Sequence, residues 1–520
     1  MNRSLRFAVC AAATGAMAAT LVLPSGPAVA KTKDATLQKY AADTWRSMAA
    51  MADPGTGLVS DNIGGDLNPA SRAEYTSPTN IGAYLWSTIG ARKLGFISTK
   101  EAVTRIEQTL ATLAELEKHE PSGMFYNWYD PKTGAKLTSW PIENSSGGHD
   151  TVYPFVSSVD NAWLATGLIT VEELLPQLRD EAEAIRSQMD FGYYYNSAEN
   201  QIRGGFWVEP PPQCSIAGNY RGDSPPVYYT CHHYGAFNTE PRMASYLGIA
   251  SGQIPQKHYF GTFRTFRGDN CDWSWSEKAG HGEWVNYLGV DVWEGSYEYR
   301  GMQVVPTWGG SMFEALMVPL FVPEEKWGTQ SWALNHPTYV QAQIEHGLVE
   351  ADYGYWGFSP SNNPAGGYRE YGVDQIGMEP NGYSSDQERT TVDEGYILED
   401  GTVCRPAQPL PTEYGQGVVT PHASFLSLRY APEESLANLQ NLRNDFDAYG
   451  PGGFYDAINV ETGVASERYL SLDQGMIMAA LINELAGDFL RKPFSKGEMR
   501  KQVAPLMRME EFNLTPTATP

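Results

Sequence analysis

Four acidic side chains stand at the expected starts of helices, each among aromatic residues. They are Asp160 in VSSVDNAWLA, Glu240 in FNTEPRMASYLG, Glu314 in WGGSMFEALM and Asp473 in SLDQGMIMAAL. Breaking a glycosidic bond normally takes two carboxyl groups on opposite sides of it. One donates a proton to the leaving oxygen, and the other activates water or attacks directly. Taken singly, each acid could do no more than stabilise a helix start through the helix dipole. Their recurrence in such similar settings is what points to a shared site. At Glu240, Asn238 and Thr239 are expected to cap the helix, with Pro241, Glu240 and Arg242 in its first turn. Other chemistries lack their residues. The chain has no GxSxG elbow and no HExxH pair, and His232 and His233 are adjacent, so they would point to opposite faces of a strand. No metal or organic cofactor is expected.

Aromatic residues make up 12% of the chain, with 14 Trp and 30 Tyr. Trp and Tyr offer a flat apolar face and a polar handle, which is what stacking on a sugar ring requires. Ordinary core packing is the competing use. Trp128, Tyr129, Trp207 and Trp356 are expected on connections, where a sugar could reach them.

The elements that must position these side chains are mainly helices. Apolar spacing near 3.6 predicts helices over 35–51, 76–95, 99–118, 157–170, 238–252, 309–321, 332–350, 420–430, 432–446 and 471–487. Thr76 or Ser77 caps the second, and Gly95 stops it. Between helices the period falls to two. SGMFYNWYDPKTGAKLT (122–138) reads as a hairpin turning at Asp130–Gly134, and YYYNSAENQIRGGFWVE as another. GMFYNWYDPKTG (123–134) and GGFYDAINVETG (452–463) share Gly, Phe-Tyr and Thr-Gly at identical offsets. A helix opening on an acid follows each. The echo suggests a ring of helical hairpins with functional loops at one end.

The chain has 520 residues, 42% of them hydrophobic, and a net charge of −24. So acidic a protein repels phosphate backbones and suits a neutral or basic ligand, not nucleic acid. Residues 1–30 read as an export signal: Arg3 and Arg6, an apolar run from Phe7 to Leu23, and Ala28-Val29-Ala30 before the cut. No later stretch is long and apolar enough to cross a bilayer. An exported chain favours disulfides. Cys214–Cys231, closing a Pro-rich loop, is the first choice of three connectivities and leaves Cys271 with Cys404. One domain is expected over 31–512, with a disordered tail at 513–520. The chain carries no signal for oligomeric state.

Taken in order, TSPTNIGAYL, FYNWYDPKTG, VSSVDNAWLA, NTEPRMASYLGIASGQIP, WGGSMFEALM, WGFSPSNNP, YGVDQIGM, VVTPHASFLSL, GGFYDAINVETG and SLDQGMIMAAL span nearly the whole mature chain. They resemble the glucoamylase-like family, which includes bacterial endo-β-1,2-glucanases and one domain of cyclic β-1,2-glucan synthases. The resemblance implies an all-α fold, an (α/α)6 barrel with hairpin decorations around a cleft, and inverting glycoside hydrolysis without a cofactor. It implies Glu240 as general acid and Asp160 in the cleft. Asp473 is the first candidate for the base and Glu314 the second. Within the motifs, Asn80, Tyr126, Trp128, Tyr129, Asn161, Arg242, Trp308, Trp356 and Gln474 are candidate substrate contacts. Leu472-Asp473 stands where many relatives carry histidines, and the insertions at 209–235 and 259–305 have no counterpart in the pattern. The expected substrate is a neutral glucan, with β-1,2-glucan first. A polysaccharide lyase or a non-catalytic glycan-binding protein are the alternatives. A lyase needs a uronic acid and cationic help, which the negative charge disfavours.

Overall fold

The computed structural model describes residues 27–378, 395–407, 414–415 and 417–514, with the backbone alone for 27–33. Most of the expected export signal and residues 515–520 of the expected tail lie outside the described residues. The helices are α1 (Pro27–Met51), α2 (Pro78–Lys93), α3 (Thr99–Glu115), α4 (Ser158–Leu174), α5 (Arg179–Arg186), α6 (Arg242–Ala250) and α7 (Met312–Leu316). After them come α8 (Glu324–Trp327), α9 (Trp332–Glu345), α10 (Pro421–Leu426), α11 (Pro432–Asp445), α12 (Ser471–Ala486), α13 (Gly497–Gln502) and α14 (Ala504–Met509). No described helix is long and apolar enough to cross a membrane.

The helices α1, α2, α4 and α12 pack into one apolar core in which Trp86, Trp163 and Tyr84 are almost fully buried. The α2–α4 contact is close enough to need glycine on both sides. A Cβ on Gly82 would lie 2.3 Å from the Trp163 carbonyl oxygen, and one on Gly167 would lie 2.8 Å from Gly82 Cα. Helix α2 begins where Ser77 accepts the Asn80 amide hydrogen, as the sequence predicts. Helix α6 starts later than expected, at Arg242, and has no side-chain cap. Asn238 instead donates to the Val305 carbonyl and Thr239 to that of Ala236. Glu240 therefore lies in a turn just before the helix, and Pro241 is its cap residue.

Strands are short and sit between helices. The sequence echo is real in three dimensions. Lys118–His119 pairs with Met124–Phe125, and Tyr449–Gly450 with Gly453–Phe454. Each hairpin is followed by a short strand running straight into a helix: Phe155–Ser157 into α4, and Arg468–Leu470 into α12. The turn at Asp130–Gly134 forms, with the Asp130 amide on the Ala135 carbonyl at 2.8 Å.

The aromatic stretch after Tyr259 contains a three-stranded antiparallel sheet that the helix-dominated reading missed: His281–Tyr287, Val290–Tyr299 and Met302–Val304. Its two tight turns are Leu288-Gly289 and Arg300-Gly301, all four residues at positive φ. That backbone suits two-residue hairpins, and glycine at the second position relieves it. The disulfides join Cys214 to Cys231 and Cys271 to Cys404, the pairing expected from the sequence.

The α2–α4 contact yields a direct test. Gly82→Ala forces a methyl group against the Trp163 backbone rather than a movable side chain. It should destabilise the protein by about 1–3 kcal/mol, read as a lower thermal midpoint. An unchanged midpoint would mean that the helices can separate at no cost.

Candidate active site

The acids stand at the N-terminal ends of helices, as Asp160, Glu314 and Asp473 do, or in the loops and turns between elements, as Asp61, Glu240 and Asp456 do. Asp160 and Glu314 each sit three residues after a capping serine. Ser157 accepts the Asp160 amide hydrogen and Ser311 that of Glu314. A carboxylate at that position commonly turns back on its own cap. Here the side chains also reach neighbouring elements. Thr79, in the first turn of α2, donates to Asp160 Oδ1 at 2.8 Å. Glu314 Oε2 accepts the backbone N–H of Glu240 at 2.8 Å.

Glu240 is partly exposed. Its Oε2 accepts a hydrogen bond of 2.7 Å from Trp163 Nε1, one turn along α4 from Asp160. Loss of water holds the Glu240 carboxyl well above the usual carboxylate range, and the negative charge of Glu314 adds to that. The Trp163 bond pulls the other way, and Asp160 raises it further. Tyr234 lies among the same three acids. Burial first, then the charges of Glu240, Asp160 and Glu314, push its phenol far up.

A second group of acids continues from the first. Asn80 Nδ2 donates to Asp61 Oδ1 at 2.9 Å, and Asn62 Nδ2 donates to Oδ2 at 2.9 Å. Asp61 is raised by burial against the pull of these bonds, with a further push from Asp160. Its backbone carbonyl accepts the Ser471 amide hydrogen at 2.8 Å, which ties it to the start of α12. Asp473, in the first turn of α12, is 2% exposed, and Asp456 is 3% exposed. Among the described residues, Asp456 Oδ1 and Asp473 Oδ2 receive no donor from the protein. A proton held between the two carboxyls satisfies both. Burial and then the charge of Asp456 raise Asp473 well above its ordinary range. Asp456 is raised by burial, to about 6, while bonds from Asp473 and the Asn362 amide restrain it. Both carboxyls are thus pushed towards the protonated form, Asp473 the more strongly. His422 Nδ1 stands 3.6 Å from Asp473 Oδ1. Burial pushes this imidazole down to about 3 and keeps it neutral.

Several expected substrate contacts serve the scaffold instead. Arg242 grips Glu324 through two bonds, of 2.8 and 3.0 Å, and donates to the carbonyls of Thr239, Glu314 and Ala315. Burial alone would raise Glu324, but the Arg242 charge and the His336 bond outweigh it and hold it down at about 2. Arg242 thus fixes the backbone behind Glu240 and Glu314. Asn161 is spent on the Phe125 backbone and the Ser157 carbonyl, and Gln474 on Ser47 and the Phe454 carbonyl. Asn80 holds Asp61. Tyr129 and Trp356, expected on open connections, are 0% and 1% exposed and belong to the core, with the Tyr129 hydroxyl on the Glu117 carbonyl. Tyr126 is also buried. Trp128, Trp207 and Trp308 keep partly open faces. Trp128 forms a shelf with Tyr75 and Trp140, ring centroids 5.6 and 5.7 Å away, and Tyr75 hydrogen-bonds to the Asn62 amide beside Asp61.

Asp61, Asp456, Trp163, Tyr234 and His422 were not picked out from the sequence. Asp456 had a usable signal, because it lies inside the repeated GGFYDAINVETG motif. Asp61 lies in a Gly- and Asp-rich loop that reads only as a turn region.

Comparison with known proteins agrees with this architecture. Residues 276–498 match a family described as putative glucoamylase, and residues 39–208 match one described as a protein of unknown function, DUF3131. The chain is 23% identical to the cyclic β-(1,2)-glucan synthase NdvB of Rhizobium meliloti over 88% of its own length, but spans only 18% of that protein. Among solved structures, the endo-β-1,2-glucanase of Chitinophaga pinensis superposes with a TM-score of 0.60 at 17% identity, covering 92% of this chain and 98% of that one. A putative glucoamylase of Bacteroides caccae gives 0.59 at 19%, covering 93% and 100%. The endo-β-1,2-glucanase of Talaromyces funiculosus gives 0.60 at 13%, covering 92% and 89%.

The acid cluster has a measurable thermodynamic consequence. Asp473 binds a proton in the folded state that the unfolded chain releases near its ordinary pKa. Folding therefore takes up a proton above that pKa, and stability falls as pH rises through it. Asp473→Asn keeps a donor towards Asp456 and removes this penalty. Its thermal midpoint should exceed that of the wild type at pH 7, with the difference vanishing near pH 4. An equal loss of stability at both values would show that the carboxyls share no proton. In motifs and in fold, the chain resembles the glucoamylase-like family, and residues 276–498 match the model described as putative glucoamylase.

Proposed function

We propose that this chain is an exported glycoside hydrolase that cleaves β-1,2-linked glucan with inversion, using a single (α/α)6 barrel over residues 31–512. The observation that carries this reading is the state of Glu240. The residue is partly exposed, its carboxyl accepts the Trp163 indole N–H, and desolvation with the charges of Glu314 and Asp160 pushes it towards the protonated form. A carboxyl in that state at neutral pH can donate to a leaving oxygen. The substrate follows from the relatives, two of which are named endo-β-1,2-glucanases and one a cyclic β-(1,2)-glucan synthase. Export is supported by the two disulfides, which persist in oxidising compartments, and by the basic and apolar start of the chain.

In this mechanism Glu240 donates its proton to the glycosidic oxygen as the bond to the anomeric carbon breaks. A water attacks that carbon from the opposite face, and its proton passes to the Asp456–Asp473 pair. The base is thus the pair, with Asp456 as its charged member, rather than Asp473 alone. Asp160 and Asp61 line the floor between acid and base. Inversion calls for about 6.5–9.5 Å between acid and base, so that a water fits between them.

Glu240→Gln should lower kcat on β-1,2-glucan by about 10²–10⁴-fold with KM nearly unchanged. The loss should shrink on an aryl glycoside whose leaving group needs no proton. Wild-type kcat/KM should rise through about pH 6 as Asp456 ionises, then fall at higher pH as Glu240 loses its proton. Wild-type turnover by Glu240→Gln would reject the assignment and move it to Glu314.

A further inference from the structure

The hairpin formed by Ser361–Asn362 and Tyr368–Arg369 is tied to the carboxyl pair through Asp456. Asn362 anchors it. Its backbone N–H donates to Asp456 Oδ2 at 2.6 Å, and its side chain donates to Ser466 Oγ at 2.8 Å. Tyr368 is paired with Asn362 across the ladder, so its position is set by the bond that holds Asp456. Tyr368 is 49% exposed, which leaves much of a large ring open beside the buried carboxyl pair. Lost hydration raises the phenol well above the ordinary tyrosine range, and the charges of Asp473, Asp456, Glu370 and Glu240 add to it. One side chain thus feels the charges of both the proposed acid and the proposed base.

From this placement we infer that Tyr368 is a substrate contact beside the Asp456–Asp473 pair, its exposed ring face stacking on a glucosyl unit and its hydroxyl bonding a sugar hydroxyl. A flat apolar face with a polar end matches one face of a pyranose and its rim of hydroxyls. Phosphate or carboxylate groups would be repelled by the acids around the tip, so the site selects an uncharged sugar. The inference rests on the reading of the cleft as a glucan-cleaving site.

The test compares wild type, Tyr368→Phe and Tyr368→Ala on β-1,2-glucan, with thermal midpoints measured alongside. Tyr368→Phe keeps the ring and loses one neutral hydrogen bond, so KM should rise by roughly 2–10-fold. Tyr368→Ala loses the stacking face as well, and KM should rise by a further ~3–10-fold. Both variants should keep the wild-type midpoint. The same order should appear in the affinity of the Glu240→Gln protein for β-1,2-glucan oligosaccharides, measured by calorimetry without turnover. Unchanged KM and affinity in both variants, with wild-type activity intact, would overturn the role of Tyr368 and leave the glucanase reading standing. A Tyr368→Ala loss confined to the thermal midpoint would assign the ring to hairpin stability and also overturn the role. If wild type neither cleaves nor binds β-1,2-glucan, the functional reading itself fails and this inference falls with it.

Discussion

Asp61, Asp160, Glu240, Glu314, Asp456 and Asp473 influence one another, neighbour to neighbour, and crowding so many carboxyls in partly dry surroundings is costly. Two like charges a few ångströms apart repel strongly once water is removed. The fold brings them together anyway and relieves the repulsion in two ways. Some carboxyls are pushed towards the protonated form, as Glu240 and Asp473 are. Others are held by donors on neighbouring elements, as Asp160 is by Thr79 and Asp61 is by Asn80. The packing behind the cleft supplies the force. The Gly82–Gly167 contact presses α2 against α4, and the Arg242–Glu324 pair locks the turn that carries Glu240. In a hydrolase, the same repulsion that costs stability keeps an acid protonated at neutral pH.

Helix starts play two parts in this arrangement. The dipole at each N-terminus favours an ionised acid, while burial and neighbouring acids favour a neutral one. Glu240 stands just outside the first turn because α6 begins at Arg242 rather than at the expected Asn238 or Thr239. Had Asn238 capped the helix, Glu240 would have stood in the first turn, where the helix itself would oppose protonation. The bond from Asn238 to the Val305 carbonyl therefore bears on the acidity of Glu240, two residues further along the chain.

Features governed by local rules were legible in the sequence. Ser77 and the helix it caps, the turn at Asp130–Gly134, the repeated hairpins and the Cys214–Cys231 bridge all follow from residues near one another in the chain. Features governed by distant partners were not. Arg242 looked like a substrate contact because its partner Glu324 lies 82 residues away. Trp356 and Tyr129 looked exposed because an aromatic on a connection carries no mark of what will cover it. Asp456 lies in the repeated motif, but its pairing with Asp473 is a contact that only the fold makes. The sheet at 281–304 was hidden for another reason: its turns, Leu288-Gly289 and Arg300-Gly301, lack the Asn or Asp that usually marks such hairpins.

The central claim is that Glu240 keeps its proton because other acids crowd it. Carbon-13 NMR titration of the Glu240 carboxyl, in the wild type and in Glu314→Gln, tests that without relying on turnover. The substituted amide side chain still offers an oxygen to the Glu240 backbone N–H but carries no charge. The account requires Glu240 to titrate well above an ordinary glutamate in the wild type and at distinctly lower pH in the variant. A Glu240 carboxyl that titrates like an exposed glutamate, or one that ignores the loss of the Glu314 charge, would contradict it.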